Sequence, residues 1–250
     1  MIRKFDVAGV PVALINMDIA CREVQRRISE RLGGYVIFRD INGIVLASRD
    51  QQILAAHRDA AFVAPDGMPL VWLGRRLAPK EVSRVYGPDF LLEFCRRSAP
   101  LGLRHFFYGS TESVVQKLVS ELKRQFPSLV ICGCFSPPFR SINGSAWAND
   151  VARIRAARPD IVWVGLGTPK QELWMHIHAP ELPETVLLGV GAAFDFHSKT
   201  KPQAPRWLRQ AGFEWLFRLL TEPRRLGRRY LIGIPQFLWL VATRAQGRNN

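Results

Sequence analysis

Apolar and polar positions follow two alternating patterns along the first 200 residues. Short apolar runs rich in β-branched and aromatic residues predict strands. They lie at Tyr35–Phe38, Ala61–Ala64, Arg104–Tyr108, Leu129–Cys134, Ile161–Val164 and Thr185–Val190. Between these runs, apolar residues recur at helical spacing, as at Val115, Leu118 and Leu122. Strands that alternate with helices predict an α/β fold, a Rossmann-like, mainly parallel sheet with helices on both faces.

The same patterns predict further elements. One or two short strands fall within Phe5–Ile15, a helix covers Ile19–Leu32, and a helical segment runs roughly from Ile44 to Asp59. Another helix covers Ala146–Ala157. Cys132 and Cys134 are two apart in a strand, so we expect both side chains on one face.

After Lys199 the pattern becomes helical and predicts no further strand. Helices are expected at Trp207–Arg209, Glu214–Leu220 and Arg228–Thr243. We therefore divide the chain into an α/β core, residues 1–200, and a helical C-terminal appendage, residues 201–250. The appendage holds ten Lys and Arg residues against Glu214 and Glu222, a net charge of +8 out of +14 for the chain. Basic helices rich in Trp and Leu suit an anionic membrane surface.

A net charge of +14 and a pI near 10.5 indicate an anionic partner. Nucleic acid, acidic lipid and a phosphorylated substrate all fit. A basic nucleic-acid-binding α/β protein is therefore one alternative to consider, and a nucleotide-sugar-modifying enzyme is another. Against them, the sequence holds no nucleic-acid recognition motif, no Walker loop and no Gly-x-Gly-x-x-Gly. We expect no signal peptide and no apolar run of about 18 residues that could span a membrane.

The segment Asp160–Trp174 predicts a strand, a glycine turn and the start of a helix. Thr168 suits the N-cap of that helix, and Pro169 suits its first turn. Free backbone N–H groups at such a junction favour a phosphate, and Lys170 and Gln171 would lie beside it. An ordinary strand-to-helix turn explains the glycines equally well, because a short Gly-x-Gly pair is a weak signal.

Two carboxylates follow predicted strands. Asp66 precedes Gly67 at a strand end, where it could act as a general base or could turn the chain. Asp195 could bind a sugar hydroxyl or cap a turn. Arg84 and Asp89 flank a turn and could contact substrate or pair with each other. No Asp-x-Asp and no metal-ligand histidine spacing is present, so we expect no metal ion.

Four ordered blocks resemble one family. They are Pro65–Trp72 (PDGMPLVW), Arg84–Asp89 (RVYGPD), Gly165–Glu172 (GLGTPKQE) with Trp174, and Gly189–Phe196 (GVGAAFDF) leading to Ala204-Pro205, Glu214-Trp215-Leu216, Arg218-Leu219 and Glu222-Pro223. Together they resemble the WecG/TagA/CpsF family of bacterial glycosyltransferases, from about Phe5 to Leu231.

The resemblance implies transfer of a sugar from a UDP-sugar to an undecaprenyl-diphosphate-linked saccharide. It implies inversion at the anomeric carbon without a metal ion or other cofactor. It also implies a peripheral protein at the cytoplasmic face of the bacterial inner membrane, which contacts anionic lipid through the C-terminal appendage. No nucleic acid partner is implied, and a homo-oligomer is compatible with the sequence.

The matching motifs also imply roles for individual residues. Asp66 corresponds to the general base. Residues at or beside the nucleotide-sugar pocket are Gly167, Thr168, Lys170, Gln171, Asp195 and Arg84. Arginines of the appendage that would contact the lipid diphosphate are Arg218, Arg225 and Arg228.

The sequence departs from the family pattern in three places. Many members carry Thr-x-Asn after the second strand, where this chain has Phe38-Arg39-Asp40 and then Asn42. Asp40 or Asn42 is therefore the candidate sugar contact. Ser198-Lys199 stands where Ala-Gly is usual, and Gln203 where an arginine is common before Ala-Pro. These changes favour an exopolysaccharide-type subgroup with its own sugar.

Overall fold

The computed structural model describes the chain apart from Met1, residues 139–146, Ala211 and residues 247–250. In the C-terminal helices it describes the backbone but leaves out the side chains of residues 206, 210, 218, 224–226, 228–230 and 244–246.

Eight strands form one sheet in the order β1-β2-β4-β3-β8-β7-β5-β6. The strands are β1 (Lys4–Val7), β2 (Val10–Ala13), β3 (Gly34–Arg39), β4 (Phe62–Pro65), β5 (Arg104–Gly109), β6 (Val130–Phe135), β7 (Ile161–Gly165) and β8 (Val186–Gly189). Strands β1 and β2 form an antiparallel hairpin, and every other neighbouring pair is parallel. The predicted α/β fold is confirmed.

Helices connect the strands and complete the C-terminal segment. They are α1 (Met17–Ser29), α2 (Ile41–Ala47), α3 (Gln51–Arg58), α4 (Met68–Leu77), α5 (Gly87–Ser98), α6 (Glu112–Gln125), α7 (Trp147–Ala156), α8 (Lys170–His178), α9 (Ala193–His197), α10 (Arg206–Gln210), α11 (Glu214–Thr221) and α12 (Pro223–Gln246). Residues before Trp147 in the predicted helix Ala146–Ala157 lie outside the described part of the chain.

Each face of the sheet is covered by its own apolar layer. Successive residues of β3 alternate between the layers: Ile37 belongs to the layer that contains residues of α2, α3, α4, α7 and α8, whereas Val36 and Phe38 belong to the layer that contains residues of α1, α5, α6 and α9. Because alternate residues of β3 face opposite layers and both layers are buried, every position of this central strand is suited to an apolar residue.

The helical segment predicted for Ile44–Asp59 consists of two helices. Helix α2 ends at Ala47 and α3 begins at Gln51. The Asp50 side chain accepts hydrogen bonds from the backbone N–H groups of Gln52 (2.8 Å) and Ile53 (3.2 Å). An N-cap of this kind starts a new helix, because it satisfies backbone donors that have no partner within the helix.

The expectation that Cys132 and Cys134 share a face is wrong. The pairing of β5 with β6 shifts by one residue between His105 and Phe106. A shift of this kind reverses the faces of all later residues. Cys132 therefore packs in one apolar layer and Cys134 in the other, and all four cysteines are free thiols.

Helix α12 packs across α2 beside the carboxyl edge of the sheet. Phe237 of α12 is buried in the core layer on that side. At Gly233 the two helices approach so closely that a β-carbon would lie 2.2 Å from Asn42 Oδ1. None of the described helices is both long and apolar enough to cross a membrane.

Candidate active site

A cavity of about 860 Å³ opens where the central parallel strands end. Ligands of open α/β sheets bind at this edge, beyond the carboxyl ends of the strands. Several parts of the chain line the cavity, among them the ends of β3 and β4 with the residues after them, residues 84–88, the turn before α8, the turn after β8, and one side of α12. Trp72 of α4 and Trp215 of α11 also line it.

Asp66 lies in this cavity at the end of β4. Its backbone N–H and that of Gly67 donate to the carbonyl of Arg39 at 3.0 and 3.1 Å, which continues the pairing of β4 with β3 past the strand end. The Asp66 side chain is 18% exposed. The backbone N–H of Gly87 faces its Oδ2 atom at 3.5 Å.

The guanidinium of Arg84 holds Asp66 in place. Its Nε donates to the Asp66 carbonyl at 2.6 Å, and its Nη2 donates to Asp66 Oδ1 at 3.0 Å. The same Nη2 donates to Glu214 Oε2 at 2.8 Å. Arg84 also stacks over the Tyr86 ring, 4.2 Å from its centroid. Arg84 lines the cavity but is shared between two carboxylates.

Glu214 also belongs to this cluster, although it is not among the predicted site residues. It begins α11, its side chain is 6% exposed, and its Oε1 accepts a hydrogen bond from the Tyr86 hydroxyl at 2.6 Å. Burial, followed by the charge of Glu214, raises the pKa of Tyr86 well above its usual value. A signal was present: Glu214 is one of only two acidic residues in the basic appendage.

The pKa of Asp66 is raised to about 6. Burial is the largest cause, and the negative charges of Glu214 and Asp40 add to it, while Arg84 acts in the opposite direction. A carboxylate with a pKa close to physiological pH is a stronger base than an ordinary aspartate and is still ionised at pH 7.

The other end of the cavity is formed by Gly167, Thr168 and Gln171. Gly167 has φ +77°, a conformation that favours glycine. The predicted N-cap role of Thr168 is wrong, because α8 begins one residue later, with Pro169 at the cap. The Thr168 hydroxyl donates instead to Glu172 Oε1 at 3.0 Å.

Two predicted pocket residues do not line the cavity. Lys170 Nζ lies 5.3 Å from the ring centroid of Trp147 in α7. Asp195 lies in α9, with its Oδ2 2.9 Å from Lys201 Nζ. Their predicted part in donor binding stays a prediction.

Asp40 and Asn42 both line the cavity. Asp40 caps α2, since its Oδ1 accepts from the backbone N–H of Gly43 at 3.0 Å, and Asn42 Nδ2 donates to its Oδ2 at 3.4 Å. The side chains of Arg218, Arg225 and Arg228 lie outside the described part of the structure. Among the residues that are described, no three His, Cys, Asp or Glu side chains are grouped as metal ligands would be.

Comparison with known proteins identifies the family. The model of the glycosyl transferase WecG/TagA/CpsF family matches residues 5–250. The chain belongs to this family. It is therefore a glycosyltransferase.

Relatives in this family carry a specific name. An N-acetylglucosaminyldiphosphoundecaprenol N-acetyl-beta-D-mannosaminyltransferase of Bacillus spizizenii is 30% identical over 196 residues, which cover 78% of this chain and 73% of the relative. The Bacillus subtilis protein of the same name is 28% identical, with coverages of 86% and 81%. One from Staphylococcus aureus is 30% identical, with coverages of 78% and 74%. These names do not mention exopolysaccharide, so that subgroup stays a prediction.

Proposed function

We propose that this WecG/TagA/CpsF family glycosyltransferase moves a sugar from a UDP-sugar to a saccharide linked to undecaprenyl diphosphate. The transfer inverts the anomeric carbon, needs no metal ion, and takes place at the cytoplasmic face of the bacterial inner membrane. The observation that carries the proposal is Asp66, a carboxylate with a pKa of about 6 in a cavity at the carboxyl edge of the sheet.

Asp66 acts as the general base. A single displacement at the anomeric carbon requires a base that takes the proton of the attacking hydroxyl, on the side opposite the departing UDP. The hydrogen bonds from Arg84 fix the carboxylate, so that Oδ2 is the oxygen with the weaker contact, 3.5 Å from the Gly87 N–H. Oδ2 therefore receives the proton of the acceptor hydroxyl.

The UDP part of the donor binds at Gly167 and Gln171, with Asp40 and Asn42 beside the sugar. The positive end of the α8 helix dipole stabilises the negative charge that develops on the diphosphate of the departing UDP. Arg218, Arg225 and Arg228 contact the lipid diphosphate of the acceptor. Arg84 supports the base rather than a phosphate, because Asp66 and Glu214 already share its Nη2 atom.

The lipid-linked acceptor reaches the cavity from the membrane. Of 17 exposed large apolar side chains in the described part of the chain, ten lie between residues 207 and 239. They include Leu231 and Trp239 of α12, which are 79% and 66% exposed. Apolar residues among arginines bind an interface that carries anionic lipid. The appendage, residues 201–250, is thus the peripheral membrane anchor of the core, residues 1–200.

The catalytic proposal is tested by measuring UDP release from several UDP-sugars with a polyprenyl-diphosphate N-acetylglucosamine acceptor. We expect Asp66→Asn to lower kcat by about 10²-fold or more through loss of the base. Asp59→Asn, at an exposed carboxylate outside the cavity, is the control and should keep wild-type activity. Full activity of Asp66→Asn would remove the base assignment.

The same assay tests the remaining chemistry. Activity should persist in excess EDTA, and NMR of the product should show the anomeric configuration opposite to that of the donor. Loss of activity in EDTA that Mg²⁺ restores would refute the metal-independent mechanism. A product that retains the configuration would refute the single displacement.

The membrane proposal is tested by sedimentation with vesicles of phosphatidylglycerol and phosphatidylethanolamine. Leu231→Ser with Trp239→Ser should weaken binding about tenfold or more, since two large apolar side chains lose their burial in lipid. The control replaces Leu101 and Ile177, which are 51% and 48% exposed on the core, by Ser. Equal effects of the two double variants would locate the membrane contact elsewhere.

A further inference from the structure

An ion pair lies buried under one end of the cavity. Arg39 Nη2 is 2.6 Å from Glu172 Oε1, and the two side chains are 2% and 0% exposed. The atoms meet as ions, without the alignment of a hydrogen bond. Such a pair is a poor source of stability, because burying both charges costs about as much as their attraction returns. Its presence beside a ligand cavity therefore calls for another explanation.

The carboxylate of this pair organises the side chains around it. Besides Arg39, Glu172 Oε1 accepts a hydrogen bond from Thr168 Oγ1 at 3.0 Å and one from Gln171 Nε2 at 3.1 Å. Gln171 Nε2 also donates to the carbonyl of Gly189 at 3.0 Å. One anionic oxygen thus collects donors from two residues that line the cavity.

This arrangement sets the direction of the Gln171 amide. Both acceptors face its NH₂ group, and the reversed amide would place its oxygen against two other oxygens. The Gln171 Oε1 atom consequently points away from both of these acceptors. It is fully buried, and the described residues offer it no hydrogen-bond partner. It lies beside Gly191, 3.3 Å from the position that a β-carbon would take there, and both residues line the cavity.

The hydroxyl of Thr168 is likewise oriented as a hydrogen-bond acceptor towards the cavity. Its only hydroxyl proton is donated to Glu172, so the oxygen has only lone pairs to offer the cavity. Glycine at two positions makes room for the arrangement. A β-carbon on Gly189 would lie 3.2 Å from Gln171 Nε2, and one on Gly43 would lie 2.1 Å from Arg39 Nη1.

We propose that Arg39 and Glu172 are positioning residues that fix Gln171 and Thr168 as hydrogen-bond acceptors, so that this end of the cavity selects an N–H or O–H group of the sugar nucleotide. The inference rests on the proposed UDP-sugar donor and names the chemical group that is recognised. A buried acceptor without a partner discriminates strongly, because a ligand that lacks the matching donor leaves it unsatisfied.

Two double variants separate this role from a purely structural one. Arg39→Met with Glu172→Met removes both charges and the acceptor at residue 172. Arg39→Met with Glu172→Gln removes the same charges but keeps an oxygen that can accept from Gln171 Nε2. Met and Gln have similar size, so the two variants differ mainly in that acceptor. Melting temperatures verify that both fold.

Affinity is measured by calorimetry with UDP, UDP-glucose and UDP-N-acetylglucosamine. We expect the Met/Met variant to bind about tenfold more weakly than wild type, the effect of one misaligned hydrogen bond, and the Met/Gln variant to recover most of that loss. A difference already present with UDP assigns the recognised group to the nucleotide, and one that requires a UDP-sugar assigns it to the sugar. Equal affinities of the two variants would overturn the proposal.

A second measurement needs no ligand and therefore separates this proposal from the proposed function. The side-chain NH₂ protons of Gln171, followed by NMR, should be protected from solvent exchange in wild type and the Met/Gln variant and should exchange faster in the Met/Met variant. Equal protection in all three proteins would refute the positioning role even if the enzyme proves to use another sugar donor. Unequal protection in a protein that releases no UDP would reject only the proposed function.

Discussion

Glu214 should control the pH at which Asp66 becomes an active base. The Nη2 atom of Arg84 lies 3.0 Å from Asp66 Oδ1 and 2.8 Å from Glu214 Oε2. The two oxygens are therefore at most about 5.8 Å apart, and two unit charges at this distance interact by about 3 kcal/mol at an effective dielectric constant of about 20. That energy equals about 2 pKa units. Because the Asp66 side chain is partly exposed in the cavity and solvent screens the interaction further, we expect about half of this effect, about 1 unit.

The assay is the pH dependence of kcat/KM, which reports the ionisation of the free enzyme. Wild type should lose activity below about pH 6, where Asp66 takes up a proton. In Glu214→Gln the raising effect of the neighbouring charge is removed, so the acidic limb should move down by about 1 unit. Glu222→Gln is the control: it removes the same charge from the same segment, at a carboxylate paired with Lys201 instead.

Ionisation of the substrate is common to all three proteins, so the difference between their acidic limbs belongs to the enzyme. An acidic limb that stays in place in Glu214→Gln, or that moves upward, would refute the electrostatic coupling. An equal shift in Glu222→Gln would show that net charge, and not the shared Arg84, is responsible.

Stability gives an independent measure of the same pKa. The folded pKa of Asp66, about 6, lies above its ordinary value of 3.8, so the folded state holds the proton more tightly and stability falls as pH rises from about 4 to about 6. Asp66→Asn does not titrate. In urea it should be more stable than wild type by about 3 kcal/mol at pH 8 and nearly equal to it near pH 3. Equal stability at both values would contradict the raised pKa.

The remaining predictions concern close helix packing. Gly43→Ala should lower the free energy of unfolding by about 2 kcal/mol, because its β-carbon would lie 2.1 Å from Arg39 Cδ; urea titration measures this. Gly233→Ala should raise the donor KM, because its β-carbon would lie 2.2 Å from Asn42 Oδ1 and displace this side chain, which lines the cavity. Gly227→Ala is the helical control, because no described atom lies closer than 4.0 Å to its β-carbon, and it should stabilise the protein by up to about 1 kcal/mol. If Gly227→Ala lowered the free energy of unfolding as much as Gly43→Ala, both losses would come from replacing a helical glycine and not from the contact with Arg39.

The amino-acid sequence alone determined the elements and their buried faces. Apolar period and turn residues act over a few positions, so the strands and most helices lie within a few residues of their predicted bounds. The ordered blocks around Asp66 and Gln171 also sufficed to indicate the family. The structure differs from the local patterns at two places. Asp50 caps and starts a second helix within the predicted helical segment, and the shifted β5–β6 register turns Cys132 and Cys134 to opposite faces.

Only the tertiary structure decided which side chains share a partner. The order β4-β3-β8-β7 brings the end of β3 beside the turn before α8, so that Arg39 meets Glu172, and the packing of α11 carries Glu214 to Arg84. Local periodicity shows which face of a helix or strand is buried, but not which other element packs against that face. Strand order and helix docking depend on the burial of whole faces, and these long-range contacts set the pKa of Asp66 and the direction of the Gln171 amide.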